Sequence, residues 1–208
     1  MATAQDHCIT LQGSAAIIHE YLHYCVHSII FQRGIYPSGD FLPEDYNNVP
    51  LMVSRNKHIK SYIERVMKEV HGLIMKKLIT KVTVCIITVE KSEIIERWDF
   101  NIKADYEVEK ESISAKPLSK IQSEIRSVMR QIISMVSVLP CIEERCTFDI
   151  MLHTEDNVYD HNPTIGDDFR EEDMKSIEIK NAQCIRLKQI STGFNTVDTN
   201  VMYRMDEG

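Results

Sequence analysis

The sequence is poor in chain breakers: seven glycines and six prolines in 208 residues exclude collagen-like and linker-dominated chains. It is also short of positive charge. Lys and Arg number 24 against 31 Asp and Glu, a net charge of −7, which argues against a basic surface for nucleic acid or anionic membrane, so neither is expected as a partner. No apolar run reaches 18 residues, and the first six residues, MATAQD, lack the basic and apolar regions of a signal peptide. A soluble intracellular protein is expected. No Cys-x-x-Cys pair occurs among Cys8, Cys25, Cys85, Cys141, Cys146 and Cys184, and with 43% hydrophobic residues the chain needs no disulfides, so free, mostly buried thiols are expected. Cys141 and Cys146 could supply two metal ligands, but no second pair completes a four-coordinate site. A Gly-x-Ser-x-Gly elbow, a P-loop and a dinucleotide fingerprint are all missing.

What is present reads as alternating helices and strands. Ser14 is placed as the N-cap of a helix running to residue 33 and ended by Gly34, with Ile18, Leu22, Cys25, Val26 and Ile29 on one apolar stripe. Residues 41–48 hold turn formers, and 49–53 read as a short strand. A second helix spans 57–78 with Ile59, Ile63, Val66, Val70 and Leu73 inward. The β-branched run KVTVCIITVE (81–90), a turn at Lys91-Ser92 and EIIERWDFNIK (93–103) predict an antiparallel hairpin at the centre of a sheet. Residues 104–118 lose periodicity and read as a flexible loop. A third helix follows over 119–137, with Ile121, Ile125, Val128, Ile132 and Val136 inward, and residues 145–154 alternate as a half-buried strand. Two strand-like runs, 176–190 and 195–205, close the chain. Between 155 and 175 lie eight acids and two bases, so −6 of the total charge of −7 is concentrated in that one segment.

One enzyme motif must be weighed. His19-Glu20-Tyr21-Leu22-His23 matches H-E-x-x-H, in which two imidazoles one helical turn apart share a zinc ion and the glutamate acts as general base. The extended form of the motif would require Gly at 26 and His at 29, where this chain has Val26 and Ile29. His19, His23 and His27 fall at the polar margin of the apolar stripe, where solvated histidines are usual. A zinc metalloenzyme therefore stays open as a lesser alternative.

Three stretches carry a stronger signal. Thr10-Leu11-Gln12-Gly13-Ser14 leads into the first helix, which ends in Phe31-Gln32-Arg33-Gly34-Ile35-Tyr36-Pro37. Glu96-Arg97-Trp98 lies in the central hairpin, and Glu124-Ile125-Arg126-Ser127-Val128-Met129-Arg130-Gln131-Ile132 in the third helix. In this order and spacing, over nearly the whole chain, they resemble the HORMA-domain family, specifically its spindle-checkpoint members.

The resemblance implies an α+β fold, a single HORMA domain over residues 1–208, with three helices packed on a mainly antiparallel sheet. It implies a mobile C-terminal safety belt, residues 155–208, with two positions. In the open state the last strands cover the edge strand at 145–154. In the closed state they lie on the other side of the sheet, and a partner's short motif adds a strand to the freed edge beneath the belt. The partner-motif strand would comprise Cys146, Thr147, Phe148, Asp149, Ile150, Met151, Leu152 and His153. Phe148, Ile150 and Leu152 face one side; Thr147, Asp149, Met151 and His153 face the other, and alternation leaves open which side reads the ligand. Arg130 and Gln131 match dimerisation positions, where the simpler reading is a solvated helix face, and Val138 replaces a larger aromatic residue expected there. Leu11, Trp98 and Tyr203 would belong to the parts that rearrange.

The function implied is that of a spindle-assembly-checkpoint adaptor without catalysis or cofactor, which sequesters the activator of the anaphase-promoting complex to delay anaphase. Its implied partners are a kinetochore checkpoint scaffold protein, that activator, open and closed copies of the chain itself, a checkpoint-silencing adaptor and an AAA+ remodelling ATPase. The implied locations are the nucleus, the kinetochore and spindle in mitosis, and the cytoplasm. A HORMA adaptor of the translesion-polymerase or meiotic-axis type is the alternative within the family.

Overall fold

The computed structural model describes residues 9–105, 116–154 and 177–205. Helix α1 (Leu11–Gln32) is capped by Thr10, whose hydroxyl accepts the Gly13 N–H at 3.1 Å. The cap expected at Ser14 lies instead one turn inside the helix, where Ser14 is fully buried. Thr10 and Ser14 are both good capping residues, and a tertiary contact, described below, claims the second. The apolar stripe from Ile18 to Ile29 is buried as the periodicity requires, but His27, placed at the polar margin, is buried with it. The helix ends at Gly34, whose φ of +64° suits glycine.

Residues 41–54 form a hairpin, β1 (Phe41–Tyr46) and β2 (Val49–Ser54). The sequence reading of 41–48 as turn residues is corrected here. Pro43, Glu44 and Asp45 have poor strand propensity, and only the two ends of β1 are buried. The turn itself is Asn47-Asn48, both with φ near +55°, as a tight hairpin loop demands (51° and 60°). Helix α2 (Lys57–Met75), capped by the Asn56 side chain on the His58 N–H, buries Ile59, Ile63, Val66, Val70 and Leu73 as expected.

The main sheet has the order β5-β3-β4-β8-β6, with β7 pairing beside β6 on the same strand, β8. Its strands are β3 (Ile79–Thr88), β4 (Ile94–Ala104), β5 (Cys146–Thr154), β6 (Ala182–Arg186), β7 (Ile190–Ser191) and β8 (Asn195–Arg204). All pairs are antiparallel. Helix α3 (Leu118–Ser134) tightens into a 3-10 turn over Met135–Ser137. That change of pitch rotates Val136 outward, where it is 48% exposed rather than on the inner face that a continuous helix would give it. The run 176–190, read as one strand, is broken by residues 187–189 into β6 and β7.

Side chains alternate across the sheet. Val82, Val84 and Ile86 of β3, Trp98, Phe100 and Ile102 of β4, Phe148 and Ile150 of β5, and Val197 and Val201 of β8 are buried in one core with the helices. Into this core the chain places a charge pair. Arg33, at the end of α1, donates from Nε to both carboxylate oxygens of Glu96 on β4, at 3.1 and 2.9 Å, and from Nη2 to the Pro140 carbonyl at 2.6 Å. The indole N–H of Trp98 donates to Glu96 Oε1 at 2.7 Å. One carboxylate thus fastens α1, β4 and the segment after α3. Burial pushes the Glu96 carboxyl up, while Arg33 and the Trp98 hydrogen bond pull it down.

Removing one partner leaves the other charge buried and uncompensated. Glu96→Ala is expected to lower the unfolding free energy by about 3–5 kcal/mol, and Arg33→Met/Glu96→Met by clearly less, measured by urea denaturation. Equal losses in both variants would contradict this account.

Candidate functional site

Two features of the sheet matter for function: what its β5 edge offers, and what holds β8 in place. Strand β5 pairs with β3 along Cys146–Thr154, and among the described residues no strand pairs with its other side. The strand-forming residues Cys146 to His153 therefore line a sheet edge among the described residues. Cys146, Phe148 and Ile150 face the helices and are buried, whereas Thr147 and Asp149 on the opposite face are exposed. Phe148 lies between Tyr36 and Tyr62, with ring centroids 6.0 and 5.7 Å away, both edge-on. The sequence reading gave neither tyrosine a role at this edge, Tyr36 entering only within the stretch that ends α1, because each is brought to the edge only by packing.

On the face away from the helices, polar groups connect three strands. His153 Nε2 lies 2.9 Å from Thr83 Oγ1, which donates to Asp99 at 2.8 Å, and Arg97 pairs with Asp99 at 3.1 Å while donating to the Ile177 carbonyl at 2.8 Å. Burial, followed by the charge of Lys81, lowers His153 to about 4, so it is neutral at physiological pH.

The other side of the sheet belongs to β8, which pairs with β4 from Glu96 opposite Tyr203 to Ala104 opposite Asn195. Trp98 stands opposite Val201 on one side and Val84 on the other and is 1% exposed, and Tyr203 is half-buried beside it. Leu11 begins α1 and packs at the core margin. The helices grip β7 and β8 through polar contacts. Ser14 Oγ is 2.6 Å from Thr192 Oγ1 and donates to Asn195 Oδ1 at 3.0 Å, and the Tyr21 hydroxyl is 3.2 Å from that of Thr199. This contact is what claims Ser14.

Helix α3 reaches the same unit. Glu124 accepts the Ser191 N–H at 3.0 Å and pairs with Lys116 at 2.6 Å, and the Gln131 side-chain carbonyl accepts the Lys188 N–H at 2.8 Å. Arg130 is exposed, but Gln131 is engaged within the chain, not free on the surface. Val138 is 53% exposed nearby. The acidic segment 155–175 and the core of the loop read at 104–118 lie outside the described residues.

The H-E-x-x-H residues sit between α1 and α2. His19, Glu20 and His23, with Ala16, Ile17, Tyr24 and Glu64, line an open groove of about 560 Å³. His19 packs edge-on to His71, and His23 to His27. Among the described residues no three His, Cys, Asp or Glu side chains are grouped to hold a metal ion. Cys25, Cys85 and Cys146 are buried and form no disulfide, while Cys141 and Cys184 are exposed. No described helix is long and apolar enough to cross a membrane.

Comparison with known proteins bears on this geometry. A sequence model of the HORMA domain matches residues 14–195. The mitotic spindle checkpoint protein MAD2 of Zea mays is 32% identical over 206 residues, covering 99% of this chain and 96% of the relative. Among solved structures, a chain in the crystal structure of the mitotic checkpoint complex superposes with a TM-score of 0.80 at 29% identity, covering 93% of this chain and 99% of that one. C. elegans HTP-2 bound to the HIM-3 closure motif shares the fold alone, with a TM-score of 0.73 at 11% identity over 95% of this chain and 93% of that one.

The histidines between the helices make stability depend on pH. His27 accepts the Ser54 N–H at Nδ1 (3.3 Å), while its Nε2 is buried without a partner. Burial, then the neighbouring charges of His23 and Lys60, lowers it from 6.5 to about 3. Between those values the unfolded chain binds a proton that the folded chain does not, so stability falls as pH falls below 6.5. At pH 5 His27 alone contributes a loss of about 2 kcal/mol relative to neutral pH. Urea midpoints measured from pH 7 to 5 should show this slope, and His27→Gln should flatten it. An unchanged slope would exclude His27 as its source.

Proposed function

We propose, from the premise that this chain belongs to the HORMA-domain family and is a MAD2-like spindle-checkpoint protein, that it works by strand capture. The family's members are non-enzymatic adaptors, and the H-E-x-x-H residues are accordingly read as part of the α1–α2 packing. A partner's extended motif adds to the β5 edge, and the C-terminal region, residues 155–208 of a single HORMA domain, acts as the safety belt that retains it.

The observation that carries the reading is the placement of β8 on β4. With the last strand there, the Cys146–Thr154 edge has no strand partner among the described residues, which is the arrangement a captured motif requires. The solved checkpoint-complex relative and the closure-motif-bound HTP-2 support the same reading by likeness. The proposed partners are a kinetochore checkpoint scaffold protein and the activator of the anaphase-promoting complex, whose sequestration delays anaphase. A checkpoint-silencing adaptor and an AAA+ remodelling ATPase would reverse the capture. The proposed locations are the nucleus, kinetochore and spindle, and cytoplasm. Leu11, Trp98 and Tyr203 would change neighbours between the two belt positions, and exposed Arg130 would meet a second copy of the chain.

Two experiments test this. Deleting residues 199–208 should abolish retention of the purified activator of the anaphase-promoting complex while circular dichroism still reports a folded domain; retention at wild-type affinity would refute the belt. Arg130→Glu should spare activator binding and weaken self-association by tenfold or so in analytical ultracentrifugation. Normal self-association of that variant would remove α3 from the dimer surface.

A further inference from the structure

An unpaired sheet edge invites indiscriminate strand pairing, and among the described residues β5 presents such an edge. Ile150 stands opposite Val84 in the β3–β5 ladder, and its N–H points away from β3. That N–H is already satisfied within the chain. The Tyr62 hydroxyl oxygen accepts it at 3.0 Å, and Asp149 Oδ1 accepts it at 2.8 Å. The Tyr62 hydroxyl in turn donates to Asp149 Oδ1 at 2.5 Å, closing a three-membered junction. Tyr62 is held there by its helix. Its neighbours Ile59 and Ile63 are buried in the core, which leaves its ring at the helix margin, edge-on to Phe148.

The two oxygens occupy the place that an incoming strand's carbonyl must take, since that carbonyl would sit about 2.9 Å from the same nitrogen. By the alternation of an antiparallel strand, the N–H groups of Phe148 and Leu152 fall on the same outer side as that of Ile150. The obstruction is therefore at the centre of the edge, and a strand that pairs with more than two successive outward residues of Cys146, Phe148, Ile150, Leu152 and Thr154 cannot avoid it.

The geometry points to Tyr62 and Asp149 as a built-in competitor for the captured strand: they cap the Ile150 N–H in the free protein and must swing away when a partner's extended segment pairs along β5. The inference rests on the strand-capture reading of β5. It assigns the pair a specificity role, because only a segment making enough contacts to displace both groups is retained, and weak edge-to-edge pairing between copies is refused.

The test has two arms. In amide hydrogen exchange on the free full-length chain, the Ile150 N–H should be protected although it lies on the edge, and Tyr62→Phe/Asp149→Ala should abolish that protection without altering exchange of the Val84 or Trp98 amides. In the second arm, random-sequence peptides displayed on phage are selected against wild-type protein, and the recovered peptides are titrated against both proteins. The double variant should bind them about three- to tenfold more tightly, because displacing the cap no longer opposes pairing. Peptides that bind both proteins equally, or an Ile150 amide that exchanges freely in the wild type, would overturn the guard and leave strand capture standing. Recovery of no peptide by either protein would overturn strand capture and the guard's competitive role with it.

Discussion

Nine consecutive residue pairs hold β8 against β4, and because a strand has only two sides, that ladder decides what every other edge of the sheet must do. With β8 on β4, the opposite limit of the sheet among the described residues is β5, and its main-chain groups must be paired, capped or hydrated. Phe148, Tyr36 and Tyr62 shield that edge from the helix side, and Tyr62 and Asp149 cap its middle. Strand order, the aromatic flank and the guarded N–H thus follow from one choice of partner for the last strand.

Beside the apolar packing of Ile190, Val197 and Val201, a set of polar contacts holds the C-terminal strands to the helices. Ser14 with Thr192 and Asn195, Tyr21 with Thr199, Glu124 with Ser191, and Gln131 with Lys188 all join a helix to the C-terminal strands. Apolar packing tolerates a strand slid or replaced by another of similar volume, whereas a hydrogen bond to a buried hydroxyl is lost outright if its partner moves. Such bonds specify one docking of β7 and β8, and each group can be satisfied by water if the strands leave. Gln131 gains a particular meaning from this. It ties the β6–β7 connector to the same helix that presents Arg130 outward.

Much of the fold was legible because it rests on local periodicity. The stripes of α1, α2 and α3 and the β3–β4 hairpin fall where 3.6- and 2-residue periods put them. The failures have separate causes. Strand β1 holds Pro43, Glu44 and Asp45 because its middle is solvated, so propensity gave no warning. Ser14 had the right chemistry for a cap and a different use for it. His27 lay at the polar margin of the stripe and is buried against β2, where the Ser54 N–H donates to it. Val136 turned outward because α3 tightened beneath it. Near the candidate site, the alternation of 145–154 announced a strand and β5 spans Cys146–Thr154, but the approach of Tyr36 and Tyr62 to it was invisible, because both are far from β5 in sequence and Tyr36 entered only as part of the stretch that ends α1.

The sequence by itself determined the elements, the buried faces and, through three motifs, the family, because helix and strand signals and local motifs need only near neighbours along the chain. It did not determine on which side of the sheet β8 would lie. The alternating pattern of Asn195–Arg204 suits either edge equally, since any strand with one apolar face can close a ladder on any exposed edge of matching register. Only the assembled structure decided it: the nine-pair register on β4 and the hydroxyl and amide contacts from α1 and α3 are satisfied together in one place, and the Cys146–Thr154 edge is left beside Tyr62 as a consequence.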